Sequence, residues 1–298
     1  MGTLVGCRYR VEALVGAHAL GEIYRCRDTI GGFGGGAKGA GAEVLLQRLS
    51  RAFSDPAVHT RLFETRGSAA LDDPAIVPLR DYGDDIDGRM YLVTAPARGG
   101  VGLDALPRPY RGMRGGTQGS AAVLELIERL ASALKAAHGQ RLVHGAIEPA
   151  SITLGGGATL ERVELHGFGL MPALHAGTRK SRSLPLWCSP SYVPPEIIRG
   201  EAPTPAADIY ALGVLAWELL FGAPPFVGPT LRVLDDQLNR ALPEPVLPED
   251  ASPELEWLLR RMLAKNPADR YADAAALLEA LEPVRLASLE VEADLILD

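Results

Sequence analysis

The sequence predicts an α+β protein, with strands concentrated in its first hundred residues and helices in the remainder. Residues 8–28 alternate in polarity like two strands around a turn, and residues 43–49 have the composition of a third strand. Residues 121–137 instead carry apolar side chains at the spacing of one helix face. We therefore expect a sheet-containing N-terminal part followed by a mainly helical C-terminal part.

Shorter segments complete this prediction. We expect a helix over residues 61–71, strands near residues 77–82 and 90–94, and a connecting hinge at residues 95–97. Because the hinge follows the last predicted strand, it is the natural border between the two parts.

Length and charge exclude several functional classes. A chain of 298 residues can bury a large core, and a formal charge of −7 creates no overall attraction to nucleic acid or to an anionic membrane. The three cysteines lack a Cys-x-x-Cys spacing, and no basic region followed by an apolar run begins the sequence. We therefore expect a cytoplasmic protein that neither binds nucleic acid nor inserts into a membrane.

Two motifs carry a family resemblance. Residues 144–152 read His-Gly-Ala-Ile-Glu-Pro-Ala-Ser-Ile, and residues 165–169 read Leu-His-Gly-Phe-Gly. The first resembles the catalytic loop of protein kinases, His-Arg-Asp-Leu-Lys-Pro-x-Asn, and the second resembles their Asp-Phe-Gly motif. Residues 208–226 closely match the central helix of the kinase C-lobe. The chain thus resembles bacterial serine/threonine protein kinases over about residues 8–283.

This resemblance implies a bilobal kinase-like fold. Its N-lobe, residues 1–97, would be mainly β with one main helix, and its C-lobe, residues 98–283, would be larger and helical. Residues 284–298 would form a short acidic tail.

Several residues that kinases use for catalysis are replaced in this chain. The changed positions, which match the nucleotide-binding Lys, the catalytic-loop Arg, Asp, Lys and Asn, and the Asp of Asp-Phe-Gly, are Gln47, Gly145, Ala146, Glu148, Ser151 and Gly167. Phosphoryl transfer requires magnesium, a cation on the nucleotide and a base for the substrate hydroxyl. The resemblance therefore predicts a pseudokinase that is not an enzyme and that holds no metal or other cofactor.

Remnants of a nucleotide pocket are also expected from the resemblance. They are Gly16, Gly21, Ile23, Leu45, Glu64 and Thr94. We expect Glu148 to repel ATP, because two like charges about 4 Å apart cost on the order of 4 kcal/mol at an effective dielectric constant of 20. The bulk of Leu45, where kinases usually have Ala, would fill the adenine position.

Other kinase residues are retained, and the resemblance implies structural roles for them. His144 would pack beneath Phe168, Glu196 would pair with Arg270, and Asp208 would bind backbone beneath the catalytic loop. These residues indicate that the frame of the C-lobe is kept.

The segment that follows the second motif, and precedes the central helix of the C-lobe, contains a basic, hydroxyl-rich run. Its candidate phosphorylation sites are Thr178, Ser181 and Ser183. We expect a scaffold or allosteric regulator in a serine/threonine kinase-linked pathway, with an active kinase or a phosphothreonine-recognition domain as partner. Two alternatives stay open, namely a metal-independent nucleotide-binding sensor and a weak transferase with a rearranged site.

Overall fold

The protein has the predicted bilobal α+β, kinase-like fold, with a curled sheet in the N-lobe and helices in the C-lobe. The computed structural model describes residues 3–18, 20–30, 41–53, 58, 60, 62, 71, 73–96, 100–105, 119–155, 159–168, 170–178, 188–247 and 251–297.

The N-lobe sheet has six antiparallel strands in the order β1-β2-β3-β4-β6-β5. Their bounds are β1 Leu4–Val5, β2 Tyr9–His18, β3 Gly21–Asp28, β4 Glu43–Leu49, β5 Leu79–Asp84 and β6 Met90–Thr94. The strands predicted over 8–28, 43–49 and 90–94 are confirmed. β5 begins at Leu79 rather than at residue 77, because the Val77 N–H donates instead to the carbonyl of Leu165 in the other lobe, at 3.0 Å.

The C-lobe combines a small sheet with helices. Its three antiparallel strands are β7 Val101–Gly102, β8 Ile152–Gly155 and β9 Thr159–Leu165. The helices described are α1 Gly119–Gly139, α2 Leu170–Thr178, α3 Pro195–Ile198, α4 Pro205–Phe221, α5 Thr230–Asn239, α6 Pro253–Met262 and α7 Ala274–Leu297. The helix predicted over 121–137 is confirmed as α1, whose buried face includes Val123, Leu126, Ile127, Leu130 and Leu134.

Helix α4 forms the centre of the C-lobe. Pro205 stands at its first position, where its missing N–H breaks no hydrogen bond of the helix. Gly222 ends the helix in the left-handed region, with a φ of 83°. Every residue from Ala206 to Leu220 is buried, because α1, α6 and α7 pack around it. This all-round burial explains why its sequence is predominantly apolar, with Asp208 and Glu218 as its buried charged residues.

Helix α7 extends beyond the predicted end of the C-lobe. The boundary placed after residue 283 falls inside this helix, and Val284 and Ser288 are only 4% and 2% exposed. Residues 284–297 therefore continue the last helix of the lobe instead of forming a separate tail.

The helix expected over residues 61–71 and the expected lack of a membrane span can be compared only with the residues that the structure describes. Of the helix predicted over residues 61–71, only Leu62 and Leu71 are described, and Leu71 is not helical. Within the described ranges, no helix combines the length and the apolar character that crossing a bilayer requires.

Candidate functional site

A cavity of about 730 Å³ lies between the N-lobe sheet and the loop at residues 144–151. It gathers most of the residues singled out from the sequence around one space. From the N-lobe these are Gly16, Ile23, Leu45, Gln47 and Thr94, and from the C-lobe they are His144, Ala146, Glu148, Ser151, Gly167 and Phe168. The candidate Glu64 lies outside the described residues.

Strand β4 supplies two of the N-lobe residues. Leu45 and Gln47 are two residues apart, so both side chains lie on the same face of the sheet, toward the cavity. Leu45 pairs with Thr94 across the sheet, and Gln47 pairs with Ile23 and Leu92. The wall of the cavity is therefore apolar at Leu45 and polar but uncharged at Gln47.

The two candidate glycines of the N-lobe differ in their roles. Gly21 does not line the cavity; its φ is +144°, and a Cβ there would lie 2.1 Å from the Arg48 carbonyl oxygen. Gly21 is required for the close approach of β3 to β4, and its expected place in a nucleotide pocket stays a prediction. Gly16 lines the cavity, and a Cβ there would meet nothing within 4 Å.

Asp208 fixes the loop below the cavity. Its carboxylate, fully buried on α4, accepts the backbone N–H of His144 at 2.9 Å and that of Gly145 at 2.7 Å. The Nε2 atom of His138 lies 3.0 Å from the same carboxylate. Because both oxygens hold backbone groups, the role of Asp208 is to position the loop.

His144 joins the two motifs. Its ring meets that of Phe168 edge-on at 4.9 Å between centroids, its Nε2 lies 2.7 Å from the His166 carbonyl oxygen, and its Nδ1 accepts the Ala146 N–H at 3.2 Å. These contacts fit a neutral ring with the proton on Nε2. Burial also lowers the pKa of His144, which agrees with the neutral form.

His166 is a second neutral imidazole at the cavity. Its Nε2 lies 3.0 Å from the Thr153 hydroxyl, and burial lowers its pKa to about 4. His166 is therefore uncharged at neutral pH.

Gly145 stands where kinases have Arg, and its backbone explains why a side chain is absent. Its φ is +80°, and a Cβ there would lie 3.0 Å from the Cβ of Met171 on α2. The missing side chain leaves room for α2, a helix that the sequence analysis did not predict. Leu170, Met171 and Leu174 of this helix are buried with N-lobe side chains.

Glu148 is held in place by the segment that closes the cavity. The Ser189 N–H donates to its Oε2 at 2.8 Å, and the Ser151 hydroxyl donates to its backbone carbonyl at 2.8 Å. Burial raises the pKa of Glu148, the Ser189 contact lowers it, and the nearby Asp104 raises it further. The loop thus presents a partly desolvated carboxyl group where kinases present a cation.

Asp104 and Cys188 also line the cavity, although the sequence analysis did not select them as site residues. Burial raises the pKa of the Cys188 thiol, so this cysteine is not an activated nucleophile. No motif marks either residue; only the folding of distant segments around the cavity brings them to Glu148.

The residues present do not fit the magnesium site of kinases. Gly167 has no side chain, and the Ser151 hydroxyl is engaged with the Glu148 carbonyl. Among the described residues, no group of three His, Cys, Asp or Glu side chains is arranged to hold a metal ion. Magnesium prefers several oxygen ligands, usually including carboxylates, and Gly167 and Ser151 do not supply them.

Arg270 and Glu196 form a buried bidentate pair at the base of the C-lobe. The Arg270 Nη1 and Nη2 atoms donate to the two Glu196 carboxylate oxygens at 2.7 and 2.8 Å, and the side chains are 0% and 2% exposed. Further donations from Arg270 reach the carbonyls of Ala206, Ala264 and Lys265. This network anchors the end of the segment that begins at the Gly-Phe-Gly motif.

The candidate phosphorylation sites lie at or beyond the end of α2. Thr178 is the last residue of this helix, while Ser181 and Ser183 lie outside the described residues.

Comparisons with known proteins point to one family. The protein kinase domain model matches residues 38–281. The chain is 31% identical to serine/threonine-protein kinase PknE of Mycobacterium tuberculosis over 268 residues, which are 88% of this chain and 44% of the relative. It is 28% identical to serine/threonine-protein kinase PknA of the same species over 291 residues, 96% of this chain and 63% of the relative. The chain thus spans about half the length of the curated relatives it matches.

These relatives overturn one expectation. From the replaced residues we expected that the chain is not an enzyme, but the proteins that it resembles over most of its length are named kinases, and the kinase domain model matches both lobes. The comparisons therefore point to an enzyme, and the expectation of a non-enzyme is wrong by this finding. Sequence reasoning failed here because it weighed single positions of the site above the similarity of the whole domain.

Proposed function

Because the chain belongs to the protein kinase family, we propose that it acts in a serine/threonine kinase-linked signalling pathway as a scaffold or allosteric regulator. The relatives from Mycobacterium tuberculosis are named serine/threonine-protein kinases, which supports the pathway class. The proposed role is to receive a signal from an active kinase and to present a changed surface to a partner.

The observation that carries this proposal is the packing of α2. Leu170 and Met171, at 8% and 6% exposure, and Leu174, at 0%, pack in one cluster with Leu49 and Met90 of the N-lobe. Helix α2 begins directly after the Gly-Phe-Gly motif and ends at Thr178. A change at this end is thus directly connected, through α2, to the packing between the lobes.

Phosphorylation is the change that this segment suits best. A phosphate at Thr178 would add negative charge at the C-terminal end of α2, where the helix dipole disfavours it, and next to Arg179 and Lys180 in the sequence. These two effects oppose one another, since the dipole favours loosening of the last turn while the two cations attract the phosphate. A phosphorylated residue there offers a phosphothreonine-recognition domain a charged ligand.

The test uses an active serine/threonine kinase from the same cell. The full chain and its Thr178→Ala variant are incubated with that kinase and ATP, and the modified residues are mapped by mass spectrometry. Thr230→Ala, at the exposed start of α5, is the matched control. We expect phosphate at Thr178, and a partner affinity that depends on it in the wild type and in Thr230→Ala alike.

Two results would refute this role. The first is the absence of phosphate from residues 178–183. The second is binding of the kinase or the phosphothreonine-recognition domain that is the same for Thr178→Ala and wild type.

Phosphoryl transfer is a second candidate function, favoured by the names of the relatives. With Ala146 where kinases have the catalytic Asp, a transferase would need another proton acceptor, and the neutral His166 and the Glu148 carboxylate line the same cavity. Incorporation of labelled phosphate from ATP into the chain and into a generic protein substrate tests this function. Loss of incorporation in both His166→Gln and Glu148→Gln, with normal folding, would support a rearranged site; no incorporation by the wild type would exclude it.

A further inference from the structure

The cavity between the lobes has a lining that suits an apolar ligand. Its volume of about 730 Å³ lies within the usual range for small-molecule sites. Apolar side chains from both lobes supply most of its surface. The apolar side chains of the lining include those of Leu20, Ile23, Leu45, Leu92, Phe168 and Met171.

The charged groups of this lining are all acidic. Among the described residues that line the cavity, Asp104 and Glu148 are the charged side chains, and no Lys or Arg is present. Neither carboxylate forms a salt bridge within the described part of the chain. The two histidines of the lining, His144 and His166, are neutral at pH 7, because burial lowers the pKa of each. Among the described lining residues, no cation therefore offsets the two carboxyl groups. A bound cation would favour the ionised form of Glu148, whose pKa burial raises.

Glu148 is also held firmly enough to act as a recognition group. The Ser189 N–H holds one carboxylate oxygen at 2.8 Å, and the loop backbone around Glu148 is tied by the Ser151 hydroxyl. A carboxylate whose position is already fixed loses little conformational entropy when a ligand binds to it.

We propose that this cavity binds an organic cation with an apolar body, with its ammonium or amidinium group beside the carboxylates of Glu148 and Asp104. The apolar body would lie against β4 and Phe168, and the cation would neutralise the two carboxylates. This site goes beyond the proposed regulatory role and does not depend on phosphorylation at Thr178.

The test compares three probes of the same shape and different charge. They are 2-naphthylmethylamine, which is protonated at neutral pH, the neutral 2-naphthylmethanol, and the anionic 2-naphthoate. Dissociation constants for the full chain are measured at pH 7 by ligand-observed NMR. We expect the amine to bind about tenfold or more tightly than the alcohol, and the carboxylate to bind most weakly, because only the amine complements the acidic wall.

Variants assign the preference to the two carboxylates. Glu148→Gln retains a hydrogen-bond acceptor for Ser189 and should reduce the amine-to-alcohol preference to about threefold or less. Asp104→Asn, at an exposed residue, provides a second variant that does not rely on the packing around Glu148. Glu125→Gln, on the exposed face of α1 and outside the cavity lining, is the matched control and should keep the full preference. Circular dichroism verifies that each variant is folded.

Each outcome decides the proposal. An amine preference that falls in Glu148→Gln and Asp104→Asn but not in Glu125→Gln supports it. Equal binding of amine and alcohol by the wild type, a preference that survives in both cavity variants, or no binding of any probe overturns it. A failure of the Thr178 experiment would leave this result unaffected, so the two proposals are tested separately.

Discussion

Replacing Arg270 with Ala should destabilise the protein strongly. Arg270 makes two hydrogen bonds to Glu196, three to backbone carbonyls, and lies with its guanidinium carbon 4.6 Å from the centre of the Tyr210 ring. The side chains of Arg270 and Glu196 are both excluded from water. The substitution therefore leaves the Glu196 carboxylate without its cation.

The size of the effect follows from that stranded charge. Removing one partner of a buried ion pair typically costs about 3–5 kcal/mol, since the desolvation of the remaining charge is no longer offset. The carbonyls of Ala206, Ala264 and Lys265 lose a donor as well, although water entering the vacated space replaces part of this loss. A loss of roughly 3–5 kcal/mol would be a large fraction of the usual stability of a domain, which is about 5–15 kcal/mol.

Equilibrium unfolding in urea, followed by circular dichroism, measures this loss. Arg129→Ala is the control, because Arg129 makes an exposed pair with Glu125 on α1 at 2.7 Å and should contribute about 0.5 kcal/mol or less. Arg270→Lys keeps the charge but cannot form the bidentate contact, so its loss should be intermediate. It also provides a measurable variant if Arg270→Ala does not fold.

A double substitution separates the pair from its surroundings. Adding Glu196→Gln to Arg270→Ala removes the stranded charge, so the double variant should be less destabilised than the sum of the two single variants. Stability of Arg270→Ala within about 0.5 kcal/mol of wild type would contradict the reasoning, because that range is typical of exposed sites.

Three further predictions concern the cavity and the loop below it. Magnesium should not increase the melting temperature of the chain in the presence of ATP, because Gly167 and Ser151 provide no adequate ligands; a magnesium-dependent rise in a thermal-shift titration would show otherwise. Burial lowers the pKa of His166 to about 4, below the value of about 6.5 in an unfolded chain, so protonation favours unfolding. The contribution of neutral His166 to the free energy of unfolding is therefore complete above about pH 6.5 and decreases toward pH 4. Urea unfolding across this range should show a loss of about 3 kcal/mol that is reduced in His166→Gln, and an equal slope in both proteins would refute this assignment. Gly145→Ala should lower the free energy of unfolding by roughly 1–3 kcal/mol, because Gly145 has a positive φ and a close neighbour in Met171. Gly139→Ala, with open space around it, should not lower this free energy. Equal denaturation midpoints for the two variants would disprove the strain at Gly145.

Much of the fold could be read from local patterns. The strands over 8–28 and 43–49 and the helix over 121–137 are encoded by the polarity of neighbouring residues, because each element buries one face or stripe. The borders were less certain: β5 begins two residues late because Val77 pairs with Leu165, and α7 continues beyond residue 283 because Val284 packs into the core.

The site was predictable only where a motif fixes the relation between residues. The family resemblance brought together His144 with Phe168 and Arg270 with Glu196, although the second pair is separated by 74 positions. The same resemblance misled where it was used to exclude an activity, since replaced residues do not by themselves describe what a site does.

The amino-acid sequence alone determined the class of fold, most of its regular elements and the replaced residues of the catalytic loop, because these depend on neighbours in the chain or on a motif. Tertiary structure alone decided that α2 packs against the N-lobe, that Gly21 serves the approach of two strands, and that Asp104 lies near Glu148. The physical reason is that packing between segments far apart in the chain depends on shape and burial, which no local pattern records.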